Sequence, residues 1–195
     1  MNTAHCLTLL RIFISPLFPI LYLGYEWLNV PLLWVPSILF VLLIICEISD
    51  VFDGFLARRC NQVTDLGKIL DPMADTVTHI SFFLTLTQGP VNLPLLLVFV
   101  FLYREFFVST LRTLCALKGF ALAARLSGKL KTVLQAIAAF LILLLLQLHL
   151  QEIISLETLQ QASFLAVAVA ALYTLFSACD YFYANRLLLK KTLHT

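Results

Sequence analysis

Six apolar stretches constrain the fold of this 195-residue chain more than any other feature. A bilayer core about 30 Å thick is crossed by a helix of roughly 20 apolar residues, and 61% of the chain is apolar while only 12% is charged. These proportions leave no room for a separate soluble domain, so we expect one all-α integral membrane domain over residues 1–195, with six transmembrane helices. The predicted spans are Ile12–Tyr25, Pro31–Ile48, Pro72–Leu86, Leu93–Val108, Val133–Leu150 and Ala162–Phe182.

The distribution of positive charge predicts how these spans are oriented. All 13 Lys and Arg residues lie in the N-terminal segment, in the two long polar links with their helix ends, or at the C-terminus. The long links are Ser49–Asp71 and Ser109–Thr132, and the three short links contain no Lys or Arg. Because basic residues are retained on the cytoplasmic side of a membrane, both termini and both long links are predicted to be cytoplasmic.

Four aspartates surround the first long link at spacings that place them on two helix faces. Asp50 and Asp53 are separated by three residues, and Asp71 and Asp75 by four, so each pair shares one face of its helix. If the two helices are neighbours, the four carboxylates converge near the membrane surface. Several unpaired anions in a partly desolvated site would each cost several kcal/mol. Divalent cations can offset that cost.

The carboxylate oxygens of the four aspartates predict which cations bind there. Carboxylate oxygens without His or Cys favour Mg²⁺, Mn²⁺ or Ca²⁺ over Zn²⁺. Four acids can hold two ions at the separation of about 3.5–4 Å that is typical of phosphoryl chemistry. A phosphate or pyrophosphate bridged by these ions is the expected ligand.

The residues between the aspartates are suited to a phosphate ligand. Gly54 and Ala57 remove side-chain bulk one turn apart on the acidic face, which lets a ligand approach the backbone, and Gly67 does the same on the other helix. Arg58 can donate two hydrogen bonds to phosphate oxygens, and Thr64 offers a hydroxyl. Small residues at these positions are also typical of helix packing, which is compatible with ligand binding.

Taken together, this segment resembles the signature of the CDP-alcohol phosphatidyltransferase family, with its spacing preserved. The matching positions are Asp50-x2-Asp53-Gly54-x2-Ala57-Arg58-x8-Gly67-x3-Asp71-x3-Asp75. The resemblance implies the six-helix CDP-alcohol phosphotransferase fold, often a homodimer. It also implies a cytoplasmic site where phosphatidyl passes from a CDP-linked lipid to an alcohol and CMP leaves.

The resemblance also implies roles for individual residues. Asp50, Asp53 and Asp71 correspond to metal ligands, and Asp75 to the general base that also borders the metal site. Two ions, Mg²⁺ or Mn²⁺, are expected. The positions that correspond to the CDP site, with the Thr64 hydroxyl added, are Gly54, Ala57, Arg58, Thr64 and Gly67.

Further motifs resemble one branch of the family, the bacterial phosphatidylglycerophosphate synthases. They include residues 7–11 (LTLLR), 55–59 (FLARR), 70–75 (LDPMAD) and the pair Arg104-Glu105. This branch implies CDP-diacylglycerol and sn-glycerol 3-phosphate as substrates, phosphatidylglycerol synthesis, and the bacterial inner membrane as location. We expect membrane lipids but no nucleic acid as partners.

An acceptor that carries a phosphate needs cations of its own. Arg112, Lys129 and Lys131, near helix ends around the second long link, are the predicted acceptor-phosphate residues, chiefly by resemblance. Glu105 precedes Arg112 by seven residues on one helix face and is predicted to hold it. Glu47 needs a partner, for which a base from the second long link is the candidate.

Two alternatives remain open at this point. The same fold could serve another acceptor, as in a cardiolipin synthase or a phosphatidylinositol phosphate synthase. A cation-coupled transporter is the alternative from another class, since intramembrane acids often line ion paths. The transporter predicts acids spread across the membrane depth, whereas the aspartates here cluster on one side.

Overall fold

The computed structural model describes residues 3–59, 65–117 and 126–193. Within these ranges the side chains of residues 3–6, 53–59, 65–69, 114, 116–117 and 187–193 are not described. The described residues form helices and contain no strand. The helices are α1 (Thr3–Ile14), α2 (Leu17–Leu23), α3 (Val35–Arg59), α4 (Asp65–Thr85), α5 (Leu95–Leu117), α6 (Leu126–Leu150) and α7 (Leu156–Leu193), with a 3-10 turn at Leu32–Trp34 before α3.

Three of the described helical stretches are long and apolar enough to cross a membrane. They are Leu32–Phe52, Leu126–Leu150 and Leu156–Arg186, and Leu7–Leu23 is a shorter apolar helical stretch. The all-helical class and the integral-membrane character are therefore confirmed. The other two predicted spans lie on α4 and α5, which also carry charged residues, and the count of six spans stays a prediction.

The first apolar stretch is divided where a proline interrupts it. α1 ends at Ile14 and α2 begins at Leu17, with Pro16 at the start of α2. Proline disfavours helical geometry at the preceding residue and has no N–H to donate. The Arg11 carbonyl at the end of α1 accepts from both the Ser15 N–H, over 3.0 Å, and the Ser15 hydroxyl, over 2.7 Å. This break allows α1 to lie at its own angle beside α3 and α4.

The second apolar stretch continues beyond its predicted end. α3 runs to Arg59, so Asp50 and Asp53 stand on the same helix as the membrane span before them. α4 likewise carries Gly67, Asp71 and Asp75 on one continuous helix. The two helical faces predicted from the spacing are thus present as helices.

An aromatic cluster holds α2, α4 and α5 together on the side of the molecule away from the aspartates. Phe18 meets Phe82 edge-on at a ring separation of 5.4 Å, and Phe83 lies 5.1 Å from Phe101. All four rings are at most 1% exposed. Because lipid tails are as apolar as these rings, their close packing is what stabilises the contact.

One glycine in the connection between α4 and α5 is required by its backbone geometry. Gly89 has a φ of +70°, which side-chain-bearing residues rarely adopt. A Cβ atom there would lie 2.9 Å from the Tyr22 hydroxyl. That hydroxyl donates to the Gln88 carbonyl over 3.3 Å, so this turn fixes α2 against the α4–α5 connection.

The expected contact between α3 and α4 is present in the described residues, where His79 of α4 meets Glu47 of α3. α1 packs against both helices more extensively than they pack against each other. α6 packs mainly on α7, and α5 also packs on α7. α1 is therefore a structural part of the region where the aspartates lie.

Candidate active site

A cavity of about 600 Å³ lies among α3, α4, α5 and α6 and collects six of the twelve predicted site residues, namely all those whose side chains the structure describes. Asp50, Asp71 and Asp75 line it from α3 and α4. Predicted acceptor residues line it from α5 and α6, namely Arg112, Lys129 and Lys131. One continuous space thus has an acidic wall and a basic wall.

Two side chains of α1 contact the acidic wall. Arg11 donates to Asp50 Oδ1 over 2.5 Å, and the Thr8 hydroxyl donates to Asp71 Oδ1 over 2.7 Å. Thr8 and Arg11 are each 1% exposed. A buried guanidinium requires a carboxylate partner, so Arg11 fixes α1 to α3 and places positive charge beside Asp50.

A histidine links the acidic wall to a second carboxylate. His79 lies one turn beyond Asp75 on α4, and its Nδ1 is 3.4 Å from Asp75 Oδ1. Its Nε2 is 2.9 Å from Glu47 Oε1 on α3. The partner of Glu47 is therefore His79 on α4, and the expectation of a base from the second long link is wrong.

The basic wall is organised around Glu105. Arg104 donates to Glu105 Oε1 over 2.9 Å, and Lys131 Nζ donates to the same oxygen. Arg104 also donates to the Ser177 hydroxyl of α7 over 3.2 Å. Lys131 is 3% exposed, so this amine is presented to the cavity from an almost fully buried position.

Arg112 is held by α7 rather than by Glu105. Its guanidinium carbon lies 5.8 Å from the centre of the Tyr181 ring. The i, i+7 spacing predicted a contact with Glu105, but that carboxylate bonds to Arg104 and Lys131 instead. Arg112 Nε is buried and donates no hydrogen bond to any residue in the described parts of the chain. Arg112 itself lines the cavity.

Comparison with known proteins agrees with the sequence signature and the cavity. The sequence profile of the CDP-alcohol phosphatidyltransferase family matches residues 1–178. The chain belongs to this family. The family expected from the resemblance is confirmed, and the chain is accordingly a transferase.

Three bacterial relatives of this chain carry the same name. A Bacillus subtilis protein named CDP-diacylglycerol–glycerol-3-phosphate 3-phosphatidyltransferase is 34% identical over 192 residues, covering 94% of this chain and 95% of the relative. A Rickettsia typhi protein of the same name is 36% identical over 145 residues, covering 73% and 76%. A Salmonella typhimurium protein of that name is 34% identical over 143 residues, covering 70% and 74%.

Members of the CDP-alcohol phosphatidyltransferase family generally use divalent metal ions. The donors fit such ions, because Asp50, Asp71 and Asp75 offer hard carboxylate oxygens to one cavity. Among the described side chains no three acidic, His or Cys groups already converge on one point. A cation at Asp50 would have to share that carboxylate with Arg11.

The remaining predicted residues of this phosphatidyltransferase are less fully described. Five of them lie on α3 or α4 with only the backbone described, and these are Asp53, Gly54, Ala57, Arg58 and Gly67. Thr64 lies outside the described residues altogether. The CDP contacts therefore rest on the helix positions and on the family signature.

The sequence reasoning did not assign roles to Thr8 and Arg11. Arg11 is a lone cation in the apolar helix α1, and such a residue is expensive to bury without an acidic partner. The isolation of Arg11 was the signal that could have identified it as a partner of the aspartates. Thr8 lies three residues before Arg11 on the same helix face. Arg104 and Glu105, noted for their resemblance to the family and, in the case of Glu105, as the predicted partner of Arg112, also line the cavity.

Proposed function

We propose that the protein transfers phosphatidyl from CDP-diacylglycerol to sn-glycerol 3-phosphate, giving phosphatidylglycerophosphate and CMP. The observation that carries the proposal is the cavity with two oppositely charged walls. A CDP-lipid with its metal ions needs carboxylates, and an acceptor that bears a phosphate needs cations. The names of the relatives, which specify these two substrates, support the same reaction.

The basic wall binds the acceptor in this proposal. Arg112, Lys129 and Lys131 hold the phosphate of sn-glycerol 3-phosphate by charge-assisted hydrogen bonds. Binding there turns the free hydroxyl end of the acceptor toward the acidic wall. Positioning two substrates in one cavity supplies much of the rate enhancement, because the reaction then proceeds as if it were intramolecular.

Asp75 acts as the general base. Its carboxylate takes the proton of the attacking hydroxyl, whose oxygen bonds to the lipid-bearing phosphorus as the bond from that phosphorus to CMP breaks. His79, 3.4 Å from Asp75 Oδ1, restrains the orientation of this carboxylate.

Two divalent cations, Mg²⁺ or Mn²⁺, would be held by Asp50, Asp53, Asp71 and Asp75. When bound, they neutralise charge on the pyrophosphate and on the CMP leaving group. We assign the CDP moiety to the other signature positions, which are Gly54, Ala57, Arg58, Thr64 and Gly67.

The proposed setting follows from the charge distribution and the family. Residues 1–195 form one domain with six spans and both termini in the cytoplasm, and the cavity opens at the cytoplasmic face of the bacterial inner membrane. The lipid tails of CDP-diacylglycerol and of neighbouring membrane lipids lie between the spans. A homodimer is the expected assembly.

Release of CMP by the purified protein tests the function. With CDP-diacylglycerol and Mg²⁺, we expect CMP with sn-glycerol 3-phosphate and none above background with phosphatidylglycerol or inositol phosphate. Preferred use of either other acceptor would assign the protein to a different branch. Metal-dependent ion flux into liposomes without nucleotide would favour the transporter.

A carboxylate variant tests the base. Asp75→Asn should abolish CMP release while CDP-diacylglycerol still binds, because the amide cannot accept the proton. Asp180→Asn is the matched control, since Asp180 bonds to Ser127 and does not line the cavity. Turnover retained by Asp75→Asn would refute the assignment.

A further inference from the structure

Among the described residues of the basic wall Glu105 is the one carboxylate, and its two oxygens are used unequally. Arg104 and Lys131 both donate to Oε1. Oε2 receives no hydrogen bond from any residue in the described ranges. The side chain is 17% exposed and lines the cavity. A carboxylate oxygen has two lone pairs for donors, so Oε2 is left to accept a hydrogen bond from a ligand.

A carboxylate at this position lowers the affinity of the basic wall for phosphate. A phosphate monoester carries close to two negative charges, and a carboxylate in the same wall repels it. Holding Arg104 and Lys131 uses only Oε1 of Glu105, so Oε2 repels the phosphate without making a bond unless it contacts another part of the acceptor. The proposed acceptor has such a part. Its phosphate is on carbon 3 and its reacting hydroxyl on carbon 1, which leaves the carbon-2 hydroxyl as a neutral donor.

We infer that Glu105 is a specificity-determining residue whose Oε2 accepts a hydrogen bond from the carbon-2 hydroxyl of sn-glycerol 3-phosphate. Through Oε1 the same carboxylate holds Arg104 and Lys131 in the wall that faces the phosphate. This inference rests on the proposed function and names the group by which the site distinguishes a glycerol phosphate from simpler alkyl phosphates. A site built to bond a substrate hydroxyl rejects the analogue that lacks it, because its own polar group is then left unpaired.

The first test changes the substrate and leaves the protein intact. The analogue 3-hydroxypropyl phosphate lacks only the carbon-2 hydroxyl of the acceptor. Hydrogen bonds to charged groups are strong enough that we expect kcat/KM for the analogue to be about 10- to 100-fold lower than for sn-glycerol 3-phosphate. Equal use of the two acceptors by the wild-type protein would overturn the inference.

The second test changes Glu105. Glu105→Gln keeps the shape of the side chain but replaces the charge-assisted bond with a neutral one, so the preference for sn-glycerol 3-phosphate should fall to about 3-fold. If Glu105→Gln does not fold, Glu105→Asp is used instead, because it keeps the charge but shortens the side chain. The ratio of kcat/KM between the two acceptors should fall in that variant as well. The matched control is Glu157→Gln, the same change on the exposed first turn of α7, where the ratio should not change.

The ratio separates specificity from simple charge balance. If Glu105 only neutralises Arg104 and Lys131, Glu105→Gln lowers kcat/KM for both acceptors by the same factor and the ratio stays at its wild-type value, which would overturn the inference. CMP release with sn-glycerol 3-phosphate in that experiment would leave the proposed function standing. Absence of CMP release with both acceptors in the wild-type protein would refute the proposed function and this inference with it.

Discussion

Arg112 offers the sharpest test of the basic wall, because the chain contains a matched control for it. Arg112 lines the cavity and lies over the ring of Tyr181, with 5.8 Å between the guanidinium carbon and the ring centre. Arg186 lies over the ring of Tyr183 in the same way, at 4.4 Å, and does not line the cavity. Both tyrosines belong to α7. Arg112→Met and Arg186→Met therefore remove similar cation–ring contacts, but only the first removes a cation from the proposed acceptor site.

The expected effect follows from the bonds that each arginine can make. A cation–ring contact contributes about 0.5–1 kcal/mol, so both variants should lose a similar, small amount of stability. Arg112 also lines the cavity, and a charge-assisted hydrogen bond to phosphate contributes about 1.5–3 kcal/mol. Arg112→Met should thus raise KM for sn-glycerol 3-phosphate by about 10- to 100-fold.

Steady-state CMP release at varied acceptor concentration measures that change, and equilibrium binding of CDP-diacylglycerol provides the reference. We expect the affinity for CDP-diacylglycerol to stay within about 2-fold of wild type in both variants, because the CDP-lipid is assigned to the acidic wall and separate sites act nearly independently. KM for the acceptor should be unchanged in Arg186→Met. Equal KM values for the two variants, or a loss of CDP-diacylglycerol binding that matches the rise in KM, would refute the division of the cavity into two walls.

Three further predictions concern the metals, the base and the core. Chelation by EDTA should stop CMP release and added Mg²⁺ or Mn²⁺ should restore it, because hard carboxylates prefer these ions; full activity in EDTA would contradict the metal assignment. His79→Phe should lower kcat about 10- to 100-fold with little change in either KM, since Asp75 loses its restraint, and a rise in KM alone would count against that role in steady-state assays. Phe83→Ala should lower the free energy of unfolding by about 3 kcal/mol in detergent, while Phe176→Ala, at a ring 59% exposed, should change it far less; equal losses would contradict the packing described.

The helices around the aspartates could be predicted because the signal is local. Asp50 and Asp53, and Asp71 and Asp75, are spaced by one turn, and a repeat of three or four residues specifies a helix face without knowledge of the fold. The acceptor cations were assigned chiefly by resemblance to the family, and the charge distribution predicted only that they lie on the same side of the membrane as the aspartates.

The pairings between helices could not be predicted for the opposite reason. Arg11 and Asp50 are 39 residues apart, and Thr8 and Asp71 are 63 apart. Spacing relates residues only within one helix. The partner of Glu47 was therefore sought in the second long link, whereas it is His79 of α4. The predicted contact between Glu105 and Arg112 was wrong because Lys131, which comes from another helix, bonds to Glu105 instead. The spacing within α5 could not reveal that neighbour.

These pairings have a common physical origin. Ionised groups near a membrane are stable only when another group compensates their charge. In this protein the compensating groups come from different helices: Arg11 of α1 for Asp50 of α3, and Lys131 of α6 for Glu105 of α5. The same side chains that make the cavity chemically useful therefore also hold its helices together. It follows that variants of the cavity must be judged by ratios and matched controls, because a loss of activity alone would not distinguish chemistry from packing.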